Sequence, residues 1–274
     1  MKKLLALVLS LFLLVGCSQQ DNKYKDEALE AYVQSMNKLE GKNKYSIGID
    51  GKIDVPKSLI NTEEVNSNFS AKGIVDLKNE LAKFEMNLDD KQNDQSEKME
   101  IYLDKKYVYI KSDNSWYKQE LDESISDSVN SKTKDSEKLD VDKARETFET
   151  FKNVEYTKEI RDSQEGYLIS ATIDLDTIMS MIKDEKENIK DLEKQIEQFK
   201  ALMQKMNIEY EVFIPMDNTK YAKHRVNISL EVLKSEVNVG PIDINLEPTN
   251  EKIKIPSAAK KAKVVKQDSV NSLY

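Results

Sequence analysis

The chain has 274 residues, with 42 Lys and Arg against 50 Asp and Glu for a net charge of -8, and is 39% hydrophobic. That balance suits a folded domain better than a disordered polyampholyte, and Gly at 7 and Pro at 5 exclude collagen-like and proline-rich architectures. One Cys permits no internal disulfide, and one Cys with one His cannot build the usual structural zinc site.

Lys2 and Lys3 precede an apolar run over 4–14 that is too short to span a bilayer as a permanent helix. A basic start, an apolar middle and a small-residue end make a secretory signal. Leu14-Val15-Gly16-Cys17 resembles the lipobox of bacterial lipoproteins. That resemblance implies cleavage between Gly16 and Cys17 and a diacylglyceryl thioether on Cys17; the bland alternative is a buried Cys beside an ordinary cleavage site. A single acyl chain holds a protein only marginally, so two give a stable anchor without a membrane helix. The expected location is the extracytoplasmic face of the cell membrane. Removing Lys2 and Lys3 takes the cations from 42 to 40 against 50 acids, a net charge of -10. The expected organisation is a signal over 1–16, a lipidated Cys and tether over 17–24, a folded domain over 25–258 and a polar tail over 259–274.

In the folded part, Ala28, Leu29, Tyr32, Val33, Met36 and Leu39 recur at helical steps, and Gly41 stands where the helix would stop. The period then changes to two. Tyr45, Ile47, Ile49, Ile53 and Val55 alternate with polar residues, and so do Phe69 to Leu77, Phe84 to Leu88 and Met99 to Leu103 at every second position. Short polar connections argue for an antiparallel meander, since parallel strands need long crossovers. The segments 107–110 and 116–121 read as a hairpin, and 122–138, rich in Ser, Asp and Lys, as an exposed loop between two halves.

Asp140 can cap a helix bearing Val141, Ala144, Phe148 and Phe151 on one face. Strands are expected at 154–160 and 167–173, then a long helix over about 178–206 with Ile178, Ile182, Ile189, Leu192, Ile196, Phe199, Met203 and Met206 on one stripe. That Met-bearing stripe suits core packing, a mobile lid or a partner helix. Final strands are expected at 208–214, 226–232, 237–239 and 242–246. The order predicts an α+β fold: a large curved antiparallel sheet with about three helices over its dry face. Two smaller α+β domains joined at 122–138 are the alternative.

Chemistry is sparse. The chain has no Gly-rich phosphate loop, no His-Glu-x-x-His run and no Gly-x-Ser-x-Gly elbow. His224, between Lys223 and Arg225, reads as a solvated surface group, and no carboxylate has an apolar setting that would raise its pKa. The acidic stretches lack the ligand spacing of a calcium loop. No cofactor or metal is expected, and the chain reads as a non-enzyme. Arg145, Arg161 and Arg225 are the only arginines in a net acidic chain, so nucleic acid is not an expected partner.

The lipobox, the N-terminal helix, the segment Met99-Glu100-Ile101-Tyr102-Leu103-Asp104-Lys105-Lys106-Tyr107-Val108-Tyr109-Ile110 and then Trp116-Tyr117-Lys118 resemble Gram-positive lipoproteins with the LolA/LppX-like fold. Tyr210-Glu211-Val212-Phe213-Ile214 and Ile253-Lys254-Ile255-Pro256 are similar to that family's later strands and ending. The resemblance implies a half-barrel with helices over its concave face, holding acyl chains or glycolipids, and so a monomer that binds or carries a lipid or other hydrophobic ligand. Tyr45, Ile47, Ile49, Phe69, Val75, Phe84, Met86 and Leu88 on the dry face would line such a cavity. The other reading is that the helices fill the sheet and these residues are ordinary core, in a ligand-free module that contacts protein or cell-wall partners.

Overall fold

The computed structural model describes residues 23–56, 65–91, 95–112, 115–121, 139–177, 203–232 and 234–264. The signal, Gly16 and Cys17, the 122–138 loop, the body of the expected long helix and the end of the tail lie outside them.

The first helix, α1 (Lys25–Asn37), buries Ala28, Leu29, Tyr32 and Val33 on one stripe, with Asp26 and Glu27 placed favourably in its first turn. The turn after it reaches Gly41, whose φ of 71° is the left-handed conformation glycine adopts without a Cβ penalty. Six strands follow: β1 (Lys44–Val55), β2 (Val65–Asp76), β3 (Leu81–Asp90), β4 (Gln95–Leu103), β5 (Tyr107–Ser112) and β6 (Ser115–Glu120). Helix α2 (Val141–Phe148) starts where Asp140 accepts a 2.8 Å hydrogen bond from the backbone N–H of Lys143, the cap expected from the sequence. Strands β7 (Lys152–Arg161), β8 (Gln164–Asp174), β9 (Met203–Pro215), β10 (Lys223–Val232) and β11 (Ser235–Pro248) come next, and a short helix, α3 (Ser257–Lys261), lies near the end.

All eleven strands form one antiparallel sheet in the order β6-β5-β4-β3-β2-β1-β11-β10-β9-β8-β7. Each half is a meander of sequence neighbours, and β1 with β11 joins them, from Tyr45 opposite Pro248 to Asp54 opposite Asn238. The α+β architecture predicted from the alternation is therefore present.

Several expectations are corrected. Residues 237–239 and 242–246 belong to a single strand. The register of β11 shifts by one residue against both neighbours around Gly240 and Pro241, which is a bulge. A Cβ at Gly240 would sit 2.8 Å from the Asn227 side chain, and Pro241 has no N–H to give the ladder, so the two residues suit the interruption that made the strand look like two. Met203 and Met206 do not end a helix: they begin β9, paired with Val232 and Leu230. Met206, Ile208, Tyr210, Val212 and Ile214 carry a period of two that overrides the three-residue step between the methionines. Asp174 caps a helical turn over 175–177 through the N–H and hydroxyl of Thr177. The tail is not wholly polar, because Ala259 in α3 is fully buried against Tyr102 and Tyr109. Finally, among the described residues α1 and α2 share one face of the sheet, whereas α3 lies against the other.

The main core sits under α1 and α2. Phe148 is its hub, meeting Tyr32 (5.2 Å between ring centroids), Phe151 (5.8 Å) and Tyr156 (6.5 Å) edge-on and stacking on Tyr210 (6.5 Å). Ala28, Leu29, Ile169, Ile173 and Val212 fill the space between them. Lys25 pairs with Glu149 at 2.9 Å and Arg145 with Asp26 at 3.1 Å, fixing the two helices side by side; at this exposure each contributes at most about 1 kcal/mol.

Candidate ligand-binding face

Strand register defines which side chains share the helix-covered face. One row runs across the sheet from Tyr156 through Ile169 and Val212 to His224, each directly opposite the next. The same row continues through Ile244, Ile49, Ala71 and Met86 to Met99 on β4. A second row runs from Leu246 through Ile47, Gly73, Phe84, Ile101 and Ile110 to Tyr117. The apolar face of the core therefore continues without a break onto β1–β5.

Burial changes along it. Ile169 and Val212 are fully buried beneath the helices and Ile47 is 6% exposed, but Met86 and Leu88 are 41% and 40% exposed. Tyr45, Ile49, Phe69, Val75 and Phe84 are half-buried. All eight residues expected to line a cavity lie on this one face, on the adjacent strands β1, β2 and β3, with Tyr45 opposite Val75 and Phe69 opposite Leu88. Ala71, Ile101 and Tyr117 continue the same apolar surface; Ala71 and Ile101 stood in the alternating segments read from the sequence but were not singled out as lining, and Tyr117 lies on the short strand β6.

Two glycines shape this surface. Gly51 is opposite Phe69 and Gly73 is opposite Phe84. A Cβ at Gly51 would approach the Phe69 ring to 2.4 Å, and one at Gly73 the Phe84 ring to 2.2 Å. Each ring thus lies down across the backbone of the next strand, covering a position with no side chain of its own. This helps to half-bury both phenylalanines and keeps the surface low.

His224 sits where the covered and half-exposed parts of the row meet. The expectation that it is a solvated surface group is overturned: it is 6% exposed, its Nδ1 lies 2.9 Å from the Tyr210 hydroxyl, and its ring stacks on that tyrosine at 6.1 Å. Burial pushes its pKa down to about 4, so the imidazole is neutral at pH 7. Burial likewise raises the Tyr32 and Tyr210 phenols, which stay protonated. Lys223 and Arg225 misled because neighbours along a strand point to opposite faces; Arg225 forms a bidentate pair with Asp243, at 2.7 and 3.0 Å, on the other side.

Among the described residues no three His, Cys, Asp or Glu side chains are grouped to hold a metal. What the arrangement can do is present a broad apolar surface, sealed by α1 and α2 at one end and half-exposed at the other. An open antiparallel sheet with α1 and α2 on one face matches the architecture implied by the resemblance to the LolA/LppX-like family, except that α3 lies on the opposite face.

No family model matches the chain, and no curated protein matches it. Among solved structures the chain is similar to LprF from Mycobacterium bovis, at 16% identity and a TM-score of 0.40, over 85% of this chain and 97% of that one.

Proposed function

We propose that the chain is a lipoprotein held at the extracytoplasmic face of the cell membrane through diacylglyceryl Cys17, and that it binds or carries a lipid or other hydrophobic ligand without catalysing a reaction. The ligand lies along the half-exposed part of the helix-covered face, on β1–β4. The observation that carries this reading is the continuity of the apolar rows past the helices, ending in Met86 and Leu88 at about two-fifths exposure. Acyl chains bind through area removed from water, roughly 25 cal/mol per Å², and such a face offers that area together with adaptable Met side chains.

A second reading has its own support. Phe69 and Phe84 fold onto Gly51 and Gly73, so part of the surface is already covered by the chain itself. On that reading the face is a ligand-free interaction module.

A Cys17→Ala form of the full chain separates the two. Loss of the anchor releases the protein into the medium, where it is purified away from membrane, extracted with organic solvent and examined by mass spectrometry. A stoichiometric lipid in the extract and displacement of a fluorescent fatty acid are the expected results. A clean extract with no fatty-acid binding leaves the interaction module, and a Cys17→Ala form that stays with the membrane contradicts the anchor.

A further inference from the structure

On the side of the sheet away from α1 and α2, the chain has a cleft of about 530 Å³ where the β4–β5 turn, β6 and α3 meet. Its lining includes Lys105, Lys106, Lys118 and Lys260 against one carboxylate, Asp104. We propose that this cleft binds a phosphate or phosphodiester anion. It lies on a different face from the apolar rows and does not depend on the reading given for them.

The carboxylate is already committed to structure. Asp104 Oδ1 accepts from the backbone N–H groups of Lys106 and Tyr107, at 2.9 and 2.8 Å, and Oδ2 accepts from the Tyr109 hydroxyl at 2.8 Å. These bonds hold the β4–β5 turn and leave the carboxylate little capacity to neutralise the lysines around it. Lys105 and Lys106 reach Glu80 and Glu120 at 3.3 and 3.2 Å, but their side chains are largely exposed, and such pairs rearrange readily for a multiply charged partner. Among the described residues neither Lys118 nor Lys260 has a carboxylate partner. The Lys118 ammonium donates to the Lys260 carbonyl at 3.5 Å and lies 3.8 Å over the Tyr107 ring.

That placement also decides the ligand class. A half-buried tyrosine lining a cleft invites a stacked sugar, yet Tyr107 already has the Lys118 and Lys106 ammonium groups at 3.8 and 5.4 Å from its ring centre. What remains for recognition is positive charge. Four ammonium groups are point charges with rotatable donors and no planar fork, which suits an anion carrying several oxygens around one centre better than a single carboxylate. Lys261 and Lys263 extend the charge along the same segment. With screening over about 8 Å at physiological salt, this local excess acts despite the acidic body.

The test uses the full chain in non-ionic detergent with two probes: inorganic polyphosphate, and the same micelles doped with phosphatidylglycerol or, as a neutral reference, phosphatidylcholine. Lys118→Gln with Lys260→Gln is expected to weaken binding by roughly tenfold or more, and added salt to weaken it in the unaltered chain. Lys72→Gln with Lys98→Gln makes the same charge change outside the cleft and retains binding. Should the first pair fail to fold, exposed Lys105 and Lys106 supply a second, Lys105→Gln with Lys106→Gln. Binding to polyphosphate identifies a soluble source of the anion, and binding to phosphatidylglycerol micelles alone a lipid headgroup. Binding to neither probe overturns the proposal, as does an equal loss in the Lys72 and Lys98 variant.

Discussion

His224 shows how much one alternation decides. In the folded chain its pKa is pushed down to about 4 by burial, against an ordinary value of 6.5. Between those values the unfolded chain takes up a proton that the folded chain refuses, so stability falls as pH drops from 6.5 to about 4 and levels off below that. The full effect is about 3 kcal/mol. Asp174, which a hydrogen bond from Lys152 holds down to about 2, contributes its own loss only below the ordinary carboxylate value of 3.8. The two windows are therefore separate. Urea midpoints measured across pH should slope between 4 and 6.5 in the native chain and be flat there in His224→Gln, which keeps a partner for the Tyr210 hydroxyl. An unchanged slope in the variant would remove His224 as the cause. The sequence could not show this burial while His224 was judged by Lys223 and Arg225; judged by Val226 and Ile228 two and four places on, it extends the strand's inner set until the bulge intervenes.

At the scale of elements, strands were legible wherever a period of two ran for five or more positions, as in β1, β2 and β9. The start of helix α2 was legible to the residue, because its cap is an aspartate with the right geometry, but its end was not: Phe151, expected on the helix face, lies beyond the last helical residue, Phe148. The sequence hid events that depend on a distant partner. The bulge in β11 looks like a chain break until both neighbouring registers are laid beside it, and α3 looks like polar tail because all five of its residues are Ser, Ala or Lys. Ala259 is the signal in α3, and only Tyr102 and Tyr109 across the sheet give it meaning. Ala259→Glu should lift this segment off β5 and β6, since a buried carboxylate without a partner costs several kcal/mol. Trypsin would then cut at Lys252, Lys254, Lys260 and Lys261 much faster than in the native chain, while the core under α1 and α2 resists. Equal cleavage rates would show that the segment is not held by that contact.

For the whole molecule, the helix-covered face divides into a part buried beneath α1 and α2 and a half-exposed part where the proposed ligand would lie. The eight residues chosen from the sequence all fell on that face, because alternation identifies a dry side. It does not report what stands above it, so the gradient from Ile169 to Met86 became visible only with α1 and α2 in place. The division can be tested by opposite responses. Met86→Asp with Leu88→Asp should lower fluorescent fatty-acid binding about fivefold or more and shift stability by no more than about 1 kcal/mol, both sites being well exposed. Ile169→Ala, beneath the helices, should cost about 2–5 kcal/mol and leave binding intact at temperatures where the chain stays folded. A double variant that binds as the native chain does would rule out this face as the ligand site.

The seam between β1 and β11 bears on the timing of assembly. It brings Ser46 to Glu247, 201 residues apart, and β11 lies beside the central strand, β1, although it is the last strand made among the described residues. Until β11 arrives, β1 and β10 each present an open edge, and neither meander can pair with the other. A chain emerging from its N-terminus thus spends most of its synthesis with the β1 edge open, and that edge invites association with other chains. Closing so long a loop adds only slowly with length to the entropic cost, about 0.6 kcal/mol per doubling. The hazard is one of waiting, and the chain's final quarter ends it.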